Sequence, residues 1–509
     1  MRFRGVPLIL WFIGALGALM LVPALFAAVE RDWAAARMFL YSGIFTLAAC
    51  AIVGVAMRRP SREFAAARGE LLTFAGVFAL APVAAAIPMA LAHPPLGAFA
   101  AYFEAVSSLT TTGATMIPRP EAAPPALHLW RAMLGWIGGL ATLVAVAAVL
   151  VPRGLVEMPD GPTPDDGRTP GSGARLIALD RGDARVRRAL GRIAPLYAGL
   201  TLLLTVLLLA GAGGGEGFLA LSHAMGVIST SGITAASSEM GLGGRWAEAA
   251  ALVFMVLGAS RLPWRRGQRG VPALEAARAD PELRLLGLTV LMATAWLFGR
   301  HWIGALELSG GEEEGIGAAL AALWGTVATV VSFATTTGYV SADWVGAQNW
   351  SGLDTPTLLL LGLAGLGGGV ASTAGGVKLF RAFALFQHAR VELTHRAHPH
   401  AVERPRRPGG RLANETVTNA LVFTMLFLAA LSVALTALTM TGMSFDRALT
   451  AAIAALANTG PAFPLVTGDP AAYAKLNDGA LGVLCAVMVL GRIEVLALIA
   501  LANPTWWRR

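Results

Sequence analysis

Ten stretches of this chain run for most of a bilayer thickness with almost no charge: about 5–29, 38–57, 71–93, 127–152, 189–212, 246–260, 283–306, 355–377, 416–442 and 479–503. A helix of about 20 apolar residues matches the hydrocarbon layer of a membrane. The 246–260 stretch is short and must borrow flanking residues to cross. Only 14% of the 509 residues are charged and 56% are hydrophobic, where soluble domains carry about 25% charge. These runs, spread evenly, predict one polytopic membrane unit rather than several soluble domains. Arg2 and Arg4 precede a charge-free run from Gly5 to Val29. That run exceeds the roughly 7–15 residues of a signal-peptide core and no A-x-A site follows it, so it is expected to stay as a first helix.

The formal net charge is +8. Its distribution matters more than its size. With the N-terminus placed inside, the arginines gather in alternate connections: Arg2 and Arg4, Arg58 to Arg68, Arg153 to Arg192, Arg261 to Arg284, Lys378 to Arg411, and Arg508–Arg509. The other side carries acids such as Glu216, Glu239, Glu312, Glu313, Glu314 and Asp469. This is the positive-inside pattern. It explains the basic excess without nucleic acid and places both termini in the cytoplasm. Three inner segments, 153–188, 261–282 and 391–413, are rich in Pro, Gly and Arg and read as loops or docking surface. Cys50 and Cys485 lie in apolar runs without metal spacing, so burial is expected for both.

Between alternate pairs of spans sits an apolar stretch expected to be too short to cross, and each ends in a small-residue motif. They are Ser107-Ser108-Leu109-Thr110-Thr111-Thr112-Gly113-Ala114-Thr115, Ile228-Ser229-Thr230-Ser231-Gly232-Ile233-Thr234, Phe333-Ala334-Thr335-Thr336-Thr337-Gly338-Tyr339-Val340, and Leu456-Ala457-Asn458-Thr459-Gly460-Pro461-Ala462-Phe463. Their glycines stand 119, 106 and 122 positions apart. A repeat of that kind defines a fold. Non-helical backbone survives at membrane depth only where protein buries it or where it lines a wet cavity. Four such loops on one axis meet that condition, and their carbonyls can replace the hydration shell of a cation. None of the motifs holds an acid, which favours a carbonyl filter for a monovalent cation over a carboxylate ring.

At these residues the chain resembles the TrkH/KtrB/HKT superfamily of potassium and sodium transporters. Leu129-Trp130-Arg131, Gly135-Trp136-Ile137-Gly138-Gly139, Gly367-Gly368-Gly369-Val370-Ala371-Ser372-Thr373-Ala374-Gly375-Gly376-Val377-Lys378 and Leu490-Gly491-Arg492-Ile493-Glu494 match it too. The first two spans look like the extra N-terminal pair of the TrkH branch. The resemblance implies an all-α pseudo-tetramer of four helix–pore-loop–helix repeats. In this chain that gives an N-terminal pair at 1–65, repeats at 66–155, 189–265, 266–390 and 414–509, and cytoplasmic linkers at 156–188 and 391–413. It implies a potassium filter formed by Thr111, Thr112, Gly113 and Ala114; Thr230, Ser231, Gly232 and Ile233; Thr336, Thr337, Gly338 and Tyr339; and Asn458, Thr459, Gly460 and Pro461. Four glycines go with potassium preference in the family, although the second and fourth loops depart from strict Thr-x-Gly symmetry. The resemblance further implies a homodimer in a bacterial inner membrane, seated on a ring of nucleotide-binding subunits, with K+ as the transported ion and no organic cofactor.

The 355–377 span is interrupted by Gly365, Gly367, Gly368, Gly369, Gly375 and Gly376, with Ser372 and Thr373 between them. Glycine at that density holds a helix poorly, at about 1 kcal/mol each against Ala. One reading is a close-packing surface. The resemblance implies another, an intramembrane gate loop beneath the filter. Lys378 ends this segment at the cytoplasmic edge, where snorkelling accounts for it. Arg492 lies inside the last span, and Glu494 two residues on does not share its helix face. Such an arginine faces a cavity and needs a partner; in the family it points into the pore near the loop. No nucleophile elbow, HExxH or P-loop lysine motif is present, so an enzyme is not expected. His388, His395, His398 and His400 read as a solvated basic linker or, less simply, a metal site. An inverted-repeat transporter is disfavoured because all four units enter from the inside. Proton- or sodium-coupled symport stays open, with Glu104 and Glu494 as the candidate pore carboxylates, as does a sodium-permeable relative.

Overall fold

The computed structural model describes residues 7–57, 68–151, 182–211, 217–235, 244–264, 275, 277–278, 280–308, 316–344, 357–370, 372–398 and 414–493. Most of both expected linkers, His400, Glu494, and the outer acids Glu216, Glu239 and Glu312–Glu314 lie outside the described residues.

The chain is all-α. The N-terminal pair comprises α1 (Leu8–Leu19), α2 (Leu21–Val29) and α3 (Trp33–Ala56). Pro23 breaks the first span near Met20, because proline removes a backbone donor and clashes with the preceding turn. Asp32 caps α3 by accepting the Ala35 N–H at 3.0 Å. Gly17 and Gly43 let the two spans approach closely: a methyl at Gly43 would lie 2.8 Å from the Gly17 carbonyl oxygen.

Repeat 1 is built from α4 (Arg68–Ala79), α5 (Ala81–Ala92), α6 (Ala98–Leu109) and α7 (Pro125–Ala145), the last continuing as a π turn to Leu150. Pro82 separates α4 from α5. The Ala79 carbonyl, which loses its helical partner there, accepts the Tyr102 hydroxyl at 3.2 Å. Repeat 2 holds α8 (Gly182–Gly211), α9 (Gly217–Ile228) and α10 (Arg245–Gly258). Repeat 3 holds α11 (Pro281–Leu308), α12 (Ile316–Ala334), α13 (Thr357–Leu366) and α14 (Leu379–Ala397). Repeat 4 holds α15 (Asn414–Met440), α16 (Phe445–Leu456), the short α17 (Ala462–Thr467) and α18 (Asp478–Ile493).

Among the described residues eight helices are long and apolar enough to cross a membrane, where the sequence suggested ten. The differences are local. The stretch expected at 246–260 is a 14-residue helix, α10. The one at 355–377 stops after the ten residues of α13. That at 479–503 is described only to Ile493. In the other direction, α12 was expected to be too short but has 19 residues; Gly317, Ala318 and Leu320 are exposed and its final turns buried. Two segments read as loops are partly helical: α8 starts at Gly182 and α14 runs to Ala397. Cys485 is buried, but Cys50 is only half-buried, and both are free thiols.

Candidate functional site

The helices α6, α9, α12 and α16 all end the same way. The residue after each C-cap adopts a left-handed conformation: Thr111 (φ 54°), Thr230 (φ 50°), Thr336 (φ 60°) and Asn458 (φ 52°). In the first repeat the Thr111 N–H reaches the Ser108 carbonyl at 2.9 Å and the Thr112 N–H reaches Ser107 at 2.8 Å. The same pair recurs as Thr230 to Val227 and Ser231 to Gly226, Thr336 to Phe333 and Thr337 to Ser332, and Asn458 to Ala455 and Thr459 to Ala454. These are Schellman terminations, a place usually taken by glycine. Here the glycine comes two residues later, and Gly113, Gly232 and Gly338 also have positive φ, at 76°, 64° and 85°.

Those glycines are required by close approach. A methyl on Gly113 would overlap the Ser231 carbonyl oxygen, and one on Gly232 would overlap that of Thr337. One on Gly338 would press on Pro461 at 3.2 Å, and one on Gly460 would overlap the Ala114 nitrogen. Each loop therefore abuts the next in chain order and the fourth abuts the first, a closed ring with loops 1 and 3 opposite. The carboxyl ends of four helices converge there, presenting the negative end of each helix dipole. Every residue of the four expected quartets is buried except Pro461, which is half-buried.

The fourth loop differs in kind. Gly460 is not left-handed, and it precedes Pro461, which disfavours helical backbone in the residue before it. Its N–H crosses to the Thr112 carbonyl at 2.6 Å, whereas Gly113 and Gly338 turn back to Ser107 and Ser332 of their own helices. Its carbonyl accepts the Tyr473 hydroxyl at 2.9 Å. Asn458 bonds the Thr112 hydroxyl and the Met488 carbonyl, both at 3.0 Å.

Beneath the ring, the segment between α13 and α14 is irregular backbone over 367–370 and 372–378. Gly367 (φ 73°), Gly376 (φ 77°) and Lys378 (φ 80°) are left-handed. Its backbone groups find protein partners: Gly369 N–H to Ala259 O at 2.9 Å, Thr373 N–H to Gly258 O at 3.2 Å, and Lys378 N–H to Leu366 O at 2.9 Å. Side chains of the ring hold it as well. The Thr336 hydroxyl accepts the Gly375 N–H at 2.8 Å, and the Thr230 hydroxyl donates to that of Thr373 at 3.1 Å. Methyls on Gly367 or Gly375 would overlap backbone oxygens of Gly375 and Ala457, and one on Gly368 would crowd Ala374 at 2.6 Å. The Ser372 hydroxyl bonds Gly369 O at 2.6 Å. Lys378 does not snorkel: it is buried and its Nζ donates to the Ala374 carbonyl.

Arg492, 4% exposed in α18, donates from Nη1 to the Thr373 carbonyl at 2.7 Å. Its Nε and Nη2 meet no hydrogen-bond partner among the described residues. Glu104 is not a free carboxylate facing a pore. It is fully buried on α6, paired with Arg131 Nε at 2.8 Å, and accepts the Thr115 hydroxyl at 2.7 Å and the Met116 N–H. Sequence reasoning missed three further buried acids. Glu282 takes the Val370 N–H at 2.9 Å and, with Asp280, faces Arg261 Nε at 3.6 and 2.9 Å. Glu248 on α10 sits against residues 341–342. The available signal was an acid at the edge of an apolar segment, which marks a functional position.

The chain matches the model of the TrkH family, described as cation transport protein, over residues 317–506. It is 29% identical to the Trk system potassium uptake protein TrkI of Halomonas elongata, over 84% of this chain and 81% of that protein. It is 28% identical to the Trk system potassium uptake protein TrkH of Salmonella typhimurium, over the whole of both. The crystal structure of the potassium transporter TrkH from Vibrio parahaemolyticus superposes with a TM-score of 0.80 at 26% identity, over the whole of both chains. The chain is similar to the TrkH family. Full-length coverage brings the N-terminal pair and all four repeats into that TrkH likeness. The relatives are named as transporters, not enzymes.

Proposed function

We propose that this chain carries K+ into the cell through the four-loop ring, with 367–378 as the gate and Arg492 holding it shut. The observation that carries the reading is the closed ring: four helix ends converge on acid-free, mostly left-handed loops packed so closely that a methyl at Gly113, Gly232 or Gly460 would overlap the neighbouring loop's backbone. Buried carbonyls without a carboxylate suit a weakly hydrated monovalent cation. The family relatives are potassium uptake proteins by name, which supports the choice of ion. A positive guanidinium under the ring raises the barrier to a cation, and the Arg492 bond to Thr373 ties that charge to the loop. Symport gains no support from Glu104, whose carboxylate is engaged by Arg131, Thr115 and Met116. A bacterial inner membrane, a homodimer and a cytoplasmic nucleotide-binding ring belong to the same proposal and rest on the family resemblance.

The test is cation flux into liposomes holding the purified protein, under K+ and Na+ gradients. K+ flux well above Na+, with the preference eroded by Gly113→Ser, is the expected result. Equal Na+ flux places the chain with sodium-permeable relatives. No flux in wild type or in an Arg492 variant overturns the transport reading.

A further inference from the structure

Nine positions before each ring glycine, in the helix that leads to it, stand Glu104, His223, Thr329 and Ala451 in repeats 1 to 4. In repeat 1 that position supplies a buried carboxylate just beyond the glycine, to the Thr115 hydroxyl and the Met116 N–H. In repeat 3 it supplies only a hydroxyl, Thr329 Oγ1, to the Ser341 N–H at 3.3 Å. There the carboxylate arrives from the neighbouring repeat. Glu248 on α10 of repeat 2 is 2% exposed. It accepts the Ser341 hydroxyl at 2.9 and 3.1 Å, the Ala342 N–H at 3.0 Å and the Trp324 indole N–H at 2.6 Å. One turn earlier on the same helix, Arg245 pairs with Asp343 at 2.8 Å at the surface.

Loops 2 and 4 are secured differently. The Tyr339 hydroxyl donates to Ile233 O at 2.7 Å, and Tyr473 donates to Gly460 O. Opposite loops of the ring thus share a device: a carboxylate accepting a hydroxyl and the next backbone N–H for 1 and 3, a phenol donating to a backbone carbonyl for 2 and 4. The fourfold ring is twofold in its support.

We infer that Glu248 is a positioning residue for the ion site, a carboxylate lent by repeat 2 that fixes the outer edge of loop 3 and thereby its discrimination between K+ and Na+. The inference rests on the transport reading above for its consequence and on the geometry of residues 341–342 for its mechanism. A charged acceptor serving three donors is strongly favoured, and deleting it leaves the buried Ser341 hydroxyl unmet and hands the part-buried Ala342 and Trp324 N–H groups to water. A loosened loop can shrink toward the smaller ion, so preference falls before conduction does.

The experiment compares wild type, Glu248→Ala, Glu248→Gln and, as a nearby surface control, Arg245→Ala, each as the full chain in liposomes. The K+/Na+ flux ratio is measured, and hydrogen exchange is followed over 339–344. Glu248→Ala is expected to lower the ratio at least about fivefold, the factor for losing one net hydrogen bond of discrimination. Exchange at 339–344 should quicken. Glu248→Gln keeps an oxygen for Ser341 and Ala342 but turns an amide toward Trp324 or loses that contact, so it should fall between. Arg245→Ala should stay within twofold of wild type, since exposed ion pairs contribute little. A folded Glu248→Ala with the wild-type ratio overturns the inference, as does a loss no larger than that of the control. If Glu248→Ala does not fold, an unchanged ratio in Glu248→Gln overturns it equally. If wild type passes no ion, the ratio is read in an Arg492→Gln background; if that passes none either, the transport reading fails on its own, and exchange at 339–344 then decides the brace, faster in Glu248→Gln upholding it and unchanged overturning it.

Discussion

Threonine at positive φ is the most informative residue-level feature of this chain. A β-branched residue there is a rare outlier, and such backbone costs of order 1–3 kcal/mol. Glycine would remove that cost, yet Thr230 and Thr336 keep hydroxyls that glycine lacks. Both hydroxyls hold the segment below the ring. Strain at these positions is therefore coupled to a contact between ring and gate. Thr336→Gly should leave global stability within about 1 kcal/mol, as relief of the backbone and loss of one hydrogen bond offset. The same variant should speed amide exchange at Gly375. A thermal midpoint near wild type with faster exchange is the expected pair of results; unchanged exchange would show that the hydroxyl holds nothing.

At the scale of elements, the broken span between α13 and α14 and the last described turn of α18 form one device. An arginine at the bilayer centre costs about 2.5–3.5 kcal/mol on insertion scales, so α18 carries Arg492 against its own interest in inserting. Its hydrogen bond to Thr373, and through the Thr373 hydroxyl to Gly258 O at 3.0 Å, ties α18 to the loop and to α10. Arg492→Gln removes the charge and keeps a donor of shorter reach. K+ flux into liposomes should rise at least about tenfold, which corresponds to a barrier lowered by 1.4 kcal/mol. Flux at the wild-type level in a folded variant would remove Arg492 from the gate.

For the whole molecule, the exposed apolar surface is itself a structural statement. Phe45, Ile52, Leu202, Val206 and Leu291 are more than half exposed on helices long enough to span. In water such a surface would aggregate; against lipid it is the ordinary exterior of a membrane bundle. Phe45, near the middle of α3 and 64% exposed, tests this directly. Phe45→Arg should cost about 3 kcal/mol of insertion and reduce the yield of membrane-extracted protein. Phe45→Leu should leave yield unchanged. Equal yields would mean that this face meets protein rather than lipid.

The sequence by itself determined the membrane class, the four loops with their glycines, and the family likeness. Hydropathy and small-residue motifs are local, and local patterns survive without coordinates. The break between α13 and α14 was visible for the same reason, since a run as rich in glycine as 355–377 holds a helix poorly. Span count was less legible, because length depends on where packing ends a helix: α10 stops at Gly258 while α12 reaches 19 residues. Only the tertiary structure decided which residues support the ring. Glu248 and Ser341 are 93 positions apart, and Arg492 and Thr373 are 119 apart. No periodicity links such pairs; they meet because four repeats close on one another, and a carboxylate missing from one repeat can be supplied by its neighbour. The left-handed threonines escaped notice too, since their cost is local but their reason lies across the ring.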